Sequence, residues 1–151
     1  MRRTYRARRL ALQALCCLDA QGNKVWNLVE DFIADSDETP DAISTARKLA
    51  TEAFDLRPEA DRILTRHAHN WELDRLAMVD RNILRLSVAE LLIGGVPPNV
   101  VIAEALRLAK EFSSAESPRF VNGVLDAVAR EIRKELGDDK ARGKGQEASG
   151  E

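Results

Sequence analysis

Residues 83–93 read Ile83-Leu84-Arg85-Leu86-Ser87-Val88-Ala89-Glu90-Leu91-Leu92-Ile93, and only Arg85, Ser87 and Glu90 among them are polar. Eleven residues this apolar predict a helix at the centre of a fold, covered on most sides. Gly94-Gly95 stops that helix, and Pro97-Pro98 forbids its continuation. Asn99 then caps a helix running to about Phe112, and Ser117-Pro118 repeats the capping signal before a last helix. Val121, Val124, Leu125, Val128 and Ile132 share one face of it, and Gly137 ends it. Toward the N-terminus, Pro58 opens a helix with Ile63, Leu64, Ala68 and Trp71 inward. Thr39-Pro40 supplies a capping hydroxyl and a first-turn proline for the helix that carries Ile43, Ala46, Leu49, Ala50, Ala53 and Phe54. Val25, Leu28, Val29, Phe32 and Ile33 form the face of a shorter helix, and Ala7, Ala11, Ala14, Leu15 and Leu18 that of the first. No stretch reads as a strand. The expectation is an all-α fold of about seven helices, one domain over residues 1–137, and a disordered tail over 138–151, which has no apolar residue beyond alanine.

A chain of 151 residues, 44% apolar and 32% charged, suits one domain with its own core and a well-solvated exterior. No apolar run approaches the ~18 residues of a membrane span. The basic start before Leu10 to Leu18 imitates a secretory or twin-arginine signal, but Gln13 interrupts that stretch and Asp19 closes it. Its apolar residues fall at helical spacing, so it is read as a first helix of a cytoplasmic protein. The neighbours Cys16 and Cys17 offer no staple and fit a reducing compartment.

Catalytic chemistry finds little support. His67 and His69, two apart on a helix, point to nearly opposite sides and cannot close on one metal, and His67 reads as a core histidine. Gly94-Gly95 lacks the spacing and preceding strand of a phosphate-cradling loop. Cys16 and Cys17 sit mid-helix, where inert packing is expected. Glu72 and Asp74 read from their charge as a solvated face. No enzyme activity, cofactor or metal site is expected.

Charge is distributed unevenly. Net charge is −2, yet Arg2, Arg3, Arg6, Arg8 and Arg9 put +5 on the first nine residues and leave −7 on the rest. Five guanidiniums around Tyr5 offer phosphate contacts and one ring for a base. Arg119 and Phe120 follow Ser117-Pro118, where free N–H groups and the helix dipole favour an anion. The two places together predict one basic, ring-bearing surface suited to phosphates and a stacked base. Gly123, inside the last helix, predicts a close approach by another helix.

Over residues 71–126 the chain resembles the NusB transcription antitermination factors. The resemblance rests on Val79-Asp80-Arg81-Asn82-Ile83-Leu84-Arg85-Leu86, Glu90-Leu91-Leu92, Val96-Pro97, Val101-Ile102-Ala103-Glu104-Ala105, Leu108-Ala109-Lys110 and above all Phe120-Val121-Asn122-Gly123-Val124-Leu125-Asp126. Arg8-Arg9-Leu10-Ala11-Leu12-Gln13-Ala14-Leu15 is similar to the same family's start. The resemblance implies seven helices in two small bundles and a non-enzymatic role. It implies pairing with the ribosomal protein NusE, a grip on boxA-type single-stranded RNA, and action within the RNA polymerase antitermination complex on ribosomal RNA operons. By position it implies RNA contacts from the N-terminal arginines and from Arg119 and Phe120, with Glu116 beside the RNA path. It places Glu72, Asp74 and Asp80 near the protein partner. Cys16 stands where similar proteins place a tyrosine, which removes a stacking ring. Two alternatives remain at this point: a homodimeric scaffold that masks its RNA surface, and a recognition domain of a ribosomal RNA methyltransferase.

Overall fold

The computed structural model describes residues 4–68 and 75–149. Among them it shows seven α-helices, α1 (Tyr5–Gln21), α2 (Trp26–Ala34), α3 (Pro40–Asp55), α4 (Arg57–His67), α5 (Met78–Ile93), α6 (Pro98–Phe112) and α7 (Ser117–Ser149), with one 3-10 turn at Asn23–Val25 and no strand. Local chemistry sets most of the boundaries. The Thr4 and Thr39 hydroxyls accept the N–H groups of Ala7 and Ala42, each satisfying an orphan donor of a helix start. Gly22 and Gly94 end α1 and α5 at φ +83° and +78°, in the region glycine alone enters without strain.

Helix α5 is the axis of the molecule and packs on α1, α3, α4, α6 and α7. On one side α1, α2 and α3 form a bundle; on the other α6 and α7 pair, and α4 bridges α5 and α7. The predicted faces of α1 and α7 are largely inside: Ala7, Ala11, Ala14, Leu15 and Leu18, and Val121, Val124, Leu125 and Val128, are all buried. So, beyond expectation, are the polar residues in the middle of α5, because five helices pack around it. Asn82, Arg85, Ser87 and Glu90 are buried with the leucines between them.

Asn82 and Arg85 meet carboxylates from α1 and α4. One oxygen of Asp19, at the end of α1, accepts from Arg81 Nε (2.9 Å), Arg81 Nη2 (2.8 Å) and Asn82 Nδ2 (2.9 Å). Arg85 lies 3.3 Å from the same oxygen and makes a two-pronged bond to Asp61 of α4 at 2.7 and 2.9 Å. Burial raises the Asp19 pKa, but the bonds from Arg81 and Asn82 and the charges of Arg85 and Arg81 outweigh it and hold the carboxyl below its ordinary range. Burial and the same aspartate push the Cys16 thiol up to about 11, so it stays protonated and packs as an apolar group.

Four expectations change. Of the α2 face only Val29 and Ile33 are buried, whereas Leu28 is 68% and Phe32 49% exposed, because this nine-residue helix packs chiefly on α1, α3 and the 3-10 turn. Helix α6 starts at Pro98 rather than after Asn99, since a proline lacks only an N–H that the first turn leaves unpaired anyway. Helix α7 does not stop at Gly137 but continues to Ser149. Each glycine there costs about 1 kcal/mol relative to alanine, while Lys140, Ala141, Arg142, Lys144, Gln146, Glu147 and Ala148 are good helix formers adding to an existing helix. Lastly, Gly123 is exposed and an added Cβ would meet nothing within 4 Å, so no helix approaches it. Gly123→Ala should therefore raise stability by about 1 kcal/mol, read as a higher urea midpoint; a lower midpoint would reveal a constraint at that position. Trp71 and His69 lie outside the described residues.

Candidate nucleic-acid interface

The arginines of α1 diverge because successive helical residues turn by about 100°. Arg6 points outward, its side chain 73% exposed, and reaches Glu38 only at 3.8 Å. Arg8 points inward and is 3% exposed. Its Nε and Nη2 donate to the Glu90 carboxylate on α5 at 2.9 to 3.2 Å. The expectation that Arg8 touches RNA is thus corrected: it is the buried partner of Glu90, the fully buried carboxylate of α5. The phase of α1 carried this signal, since Arg8 stands in register with the buried Ala11, Leu12 and Leu15. Arg9 pairs with Glu111 at 2.9 Å and lies 5.3 Å above the Phe112 ring, both on the last turn of α6. Arg2 and Arg3 lie outside the described residues.

Tyr5 is engaged rather than open. Its hydroxyl donates to Glu111, and the Arg107 guanidinium lies 3.8 Å from its ring centroid. Burial, the bond to Glu111 and that carboxylate's charge push the phenol up to about 12, so it remains a neutral donor. The last two turns of α6 therefore belong to this surface, and sequence analysis missed them. Arg107 and Lys110 are both exposed. Nothing local shows that their face of α6 meets α1.

Beyond Phe112 the chain turns into α7 around a cleft of about 720 Å³ whose lining includes Arg75, Leu76, Asp80, Glu116, Arg119 and Phe120. Asp80, in the first turn of α5, accepts from the Ser113 hydroxyl at 2.6 Å and the Ser117 hydroxyl at 3.1 Å. The Ser117 hydroxyl, expected to cap α7, thus ties α7 to α5 instead. Asp80 is half-buried and anchors this turn; Glu72 and Asp74, assigned with it to a protein partner, lie outside the described residues. Glu116 and Arg119 are exposed, and Phe120 is half-buried against the core with its side in the cleft.

The expected single basic surface is modified accordingly. Helices α1 and α7 do not pack on each other to any extent, and the end of α6 joins their functional residues. Arg8 and Arg9 are neutralised, so Arg6, Arg107, Lys110 and Arg119 are the exposed cations along α1, α6 and the start of α7. His67 faces Glu131 of α7 at 3.4 Å, beside an Arg66–Glu131 pair at 3.0 Å, and joins α4 to α7. Among the described residues no three His, Cys, Asp or Glu side chains gather to hold a metal ion, and no helix is long and apolar enough to cross a membrane.

Comparisons with known proteins agree on one family. A model of the NusB family matches residues 5–130. The transcription antitermination protein NusB of Solibacter usitatus is 45% identical over 129 residues, which cover 84% of this chain and 88% of that protein. Its counterpart from Symbiobacterium thermophilum is 40% identical over 145 residues, covering 90% and 95%. Among solved structures, T. maritima NusB superposes with a TM-score of 0.75 at 33% identity, covering 87% of this chain and 94% of that one. The antitermination factors NusB and NusE in complex with double-stranded RNA give 0.75 at 32% identity, covering 84% and 96%.

Proposed function

This chain belongs to the NusB family of transcription antitermination proteins, and we propose that it binds boxA-type single-stranded RNA jointly with the ribosomal protein NusE. The pair would act within the RNA polymerase antitermination complex during transcription of ribosomal RNA operons. The protein works in the cytoplasm by binding rather than by catalysis, and residues 1–137 form the binding unit. What carries this reading is the cleft at the α6–α7 turn, where exposed Arg119 stands beside the half-buried ring of Phe120. A cation next to an aromatic face suits a phosphate and its splayed base, the pairing by which unpaired RNA is held. Arg6 at the start of α1, with Arg107 and Lys110 on α6, extends the positive edge. The related complex of NusB, NusE and RNA supports the choice of partners. Likeness to antitermination proteins over 88% and 95% of their lengths favours this reading over a methyltransferase recognition domain.

The test is titration of a short boxA-type RNA, with and without NusE, across several salt concentrations. A single strand contributes a log-log salt slope of about 0.7 per phosphate neutralised, so replacing Arg6 and Arg119 together by alanine should flatten it by about 1.4. Phe120→Ala should weaken binding by about 1 to 3 kcal/mol if the ring stacks a base. An unchanged slope removes the two arginines from the site. Loss of thermal stability with unchanged affinity would return Phe120 to the core.

A further inference from the structure

We propose that Arg107, stacked on Tyr5, is a platform on which one unpaired nucleobase of the bound RNA lies flat; the proposal rests on the RNA-binding reading above. The guanidinium carbon is 3.8 Å from the Tyr5 ring centroid, close to the thickness of two stacked planes. Tyr5 cannot swing away freely. Its hydroxyl is bonded to Glu111, Glu111 also holds Arg9, and Arg9 lies over Phe112. The plane of Arg107 is therefore positioned by contacts that reach from α1 to the last turn of α6.

Arg107 is exposed and makes no ion pair among the described residues, in contrast to Arg8 and Arg9. A guanidinium is planar, delocalised and weakly hydrated, so its face takes a base in stacking while its edge N–H groups still reach phosphate oxygens. Tyr5 alone would have offered one aromatic face; with Arg107 laid on it, the cluster offers a cationic plane instead. Lys110, one turn further along α6, and Arg6 on α1 flank the platform and suit the adjoining phosphates. A carboxylate ligand would need only the charge of Arg107, whereas a nucleobase also needs its plane.

That difference defines the experiment, made on the full chain in complex with NusE. The probe is a single-stranded RNA of about ten nucleotides and a set of the same RNA carrying one abasic position each. Arg107 is exposed, so its replacement should lower the thermal unfolding midpoint by no more than a few degrees, the loss of its contact with Tyr5. Arg107→Ala should weaken binding between about fivefold and a hundredfold. Arg107→Lys, which keeps the charge and loses the plane, should preserve the salt slope and still lose most of that affinity. At one abasic position the penalty of Arg107→Ala should vanish, identifying the stacked base. Affinity of Arg107→Lys equal to that of the unsubstituted protein overturns the proposal, as does a penalty that persists at every abasic position. Failure of the unsubstituted complex to bind RNA at any salt concentration overturns this proposal and the reading beneath it together.

Discussion

Glu90→Ala is expected to lower the free energy of unfolding by about 3–5 kcal/mol. Glu90 is 2% and Arg8 3% exposed, so the substitution leaves a guanidinium buried between α1 and α5 without the carboxylate that receives its Nε and Nη2 protons. A single domain is stable by roughly 5–15 kcal/mol, so the loss would bring the molecule close to unfolding at physiological temperature. The destabilisation reflects an orphaned charge rather than great net strength in the pair, because both ions must be stripped of water to meet. The double replacement of Arg8 by Met and Glu90 by Leu should accordingly recover most of the lost stability. Urea unfolding of Arg8→Met, Glu90→Leu and the double variant closes the cycle. A cost below about 1 kcal/mol for Glu90→Ala would mean that water reaches Arg8 and that the pair behaves as a surface one. The cycle also checks that Arg8 lies off the RNA surface: the stable double variant should keep the full salt slope.

Asp19→Ala should cost about 2–4 kcal/mol, because a single carboxylate oxygen serves Arg81 and Asn82 directly and Arg85 at slightly longer range. The loss carries a pH signature. The folded-state pKa of Asp19 is lowered, so its contribution is fully present above the unfolded value of about 3.9 and is lost as pH falls through the folded value. The stability gap between the parent and Asp19→Asn should therefore be flat from about pH 5 to 7 and narrow below about pH 4. A gap that stays constant into strong acid would show that the carboxylate's charge contributes nothing. The network joins the end of α1, the start of α5 and α4, so its loss should also loosen the packing of the two bundles.

Much of the fold is readable along the chain, since a helix face is written within a few turns of its own residues. Thr39-Pro40 and the run from Ile83 to Ile93 each carry enough local information to place an element. Failures occur where a neighbour decides. Leu28 and Phe32 sit on the apolar face of α2 but find nothing to cover them. Gly123 looks like a close-packing site and faces empty space. Ser117 carries a good capping hydroxyl, yet Asp80, 37 residues away, takes it.

The candidate site divides in the same way. Helical phase alone distinguishes Arg8, aligned with Leu12 and Leu15, from Arg6 and Arg9, and Glu90, the lone acid of the apolar run from Ile83 to Ile93, calls for a buried cation. The Phe120 motif and the excess of arginine at the N-terminus are likewise visible in sequence. Tertiary structure alone brings Glu111 to Tyr5 across 106 residues and lays Arg107 on the same ring. The amino-acid order determined the helices, their buried faces and the family, because periodicity and caps act over a few residues. Which cations stay available to a phosphate was decided only by folding, because each charge is cancelled or left open by a partner whose distance along the chain carries no signal of its nearness in space.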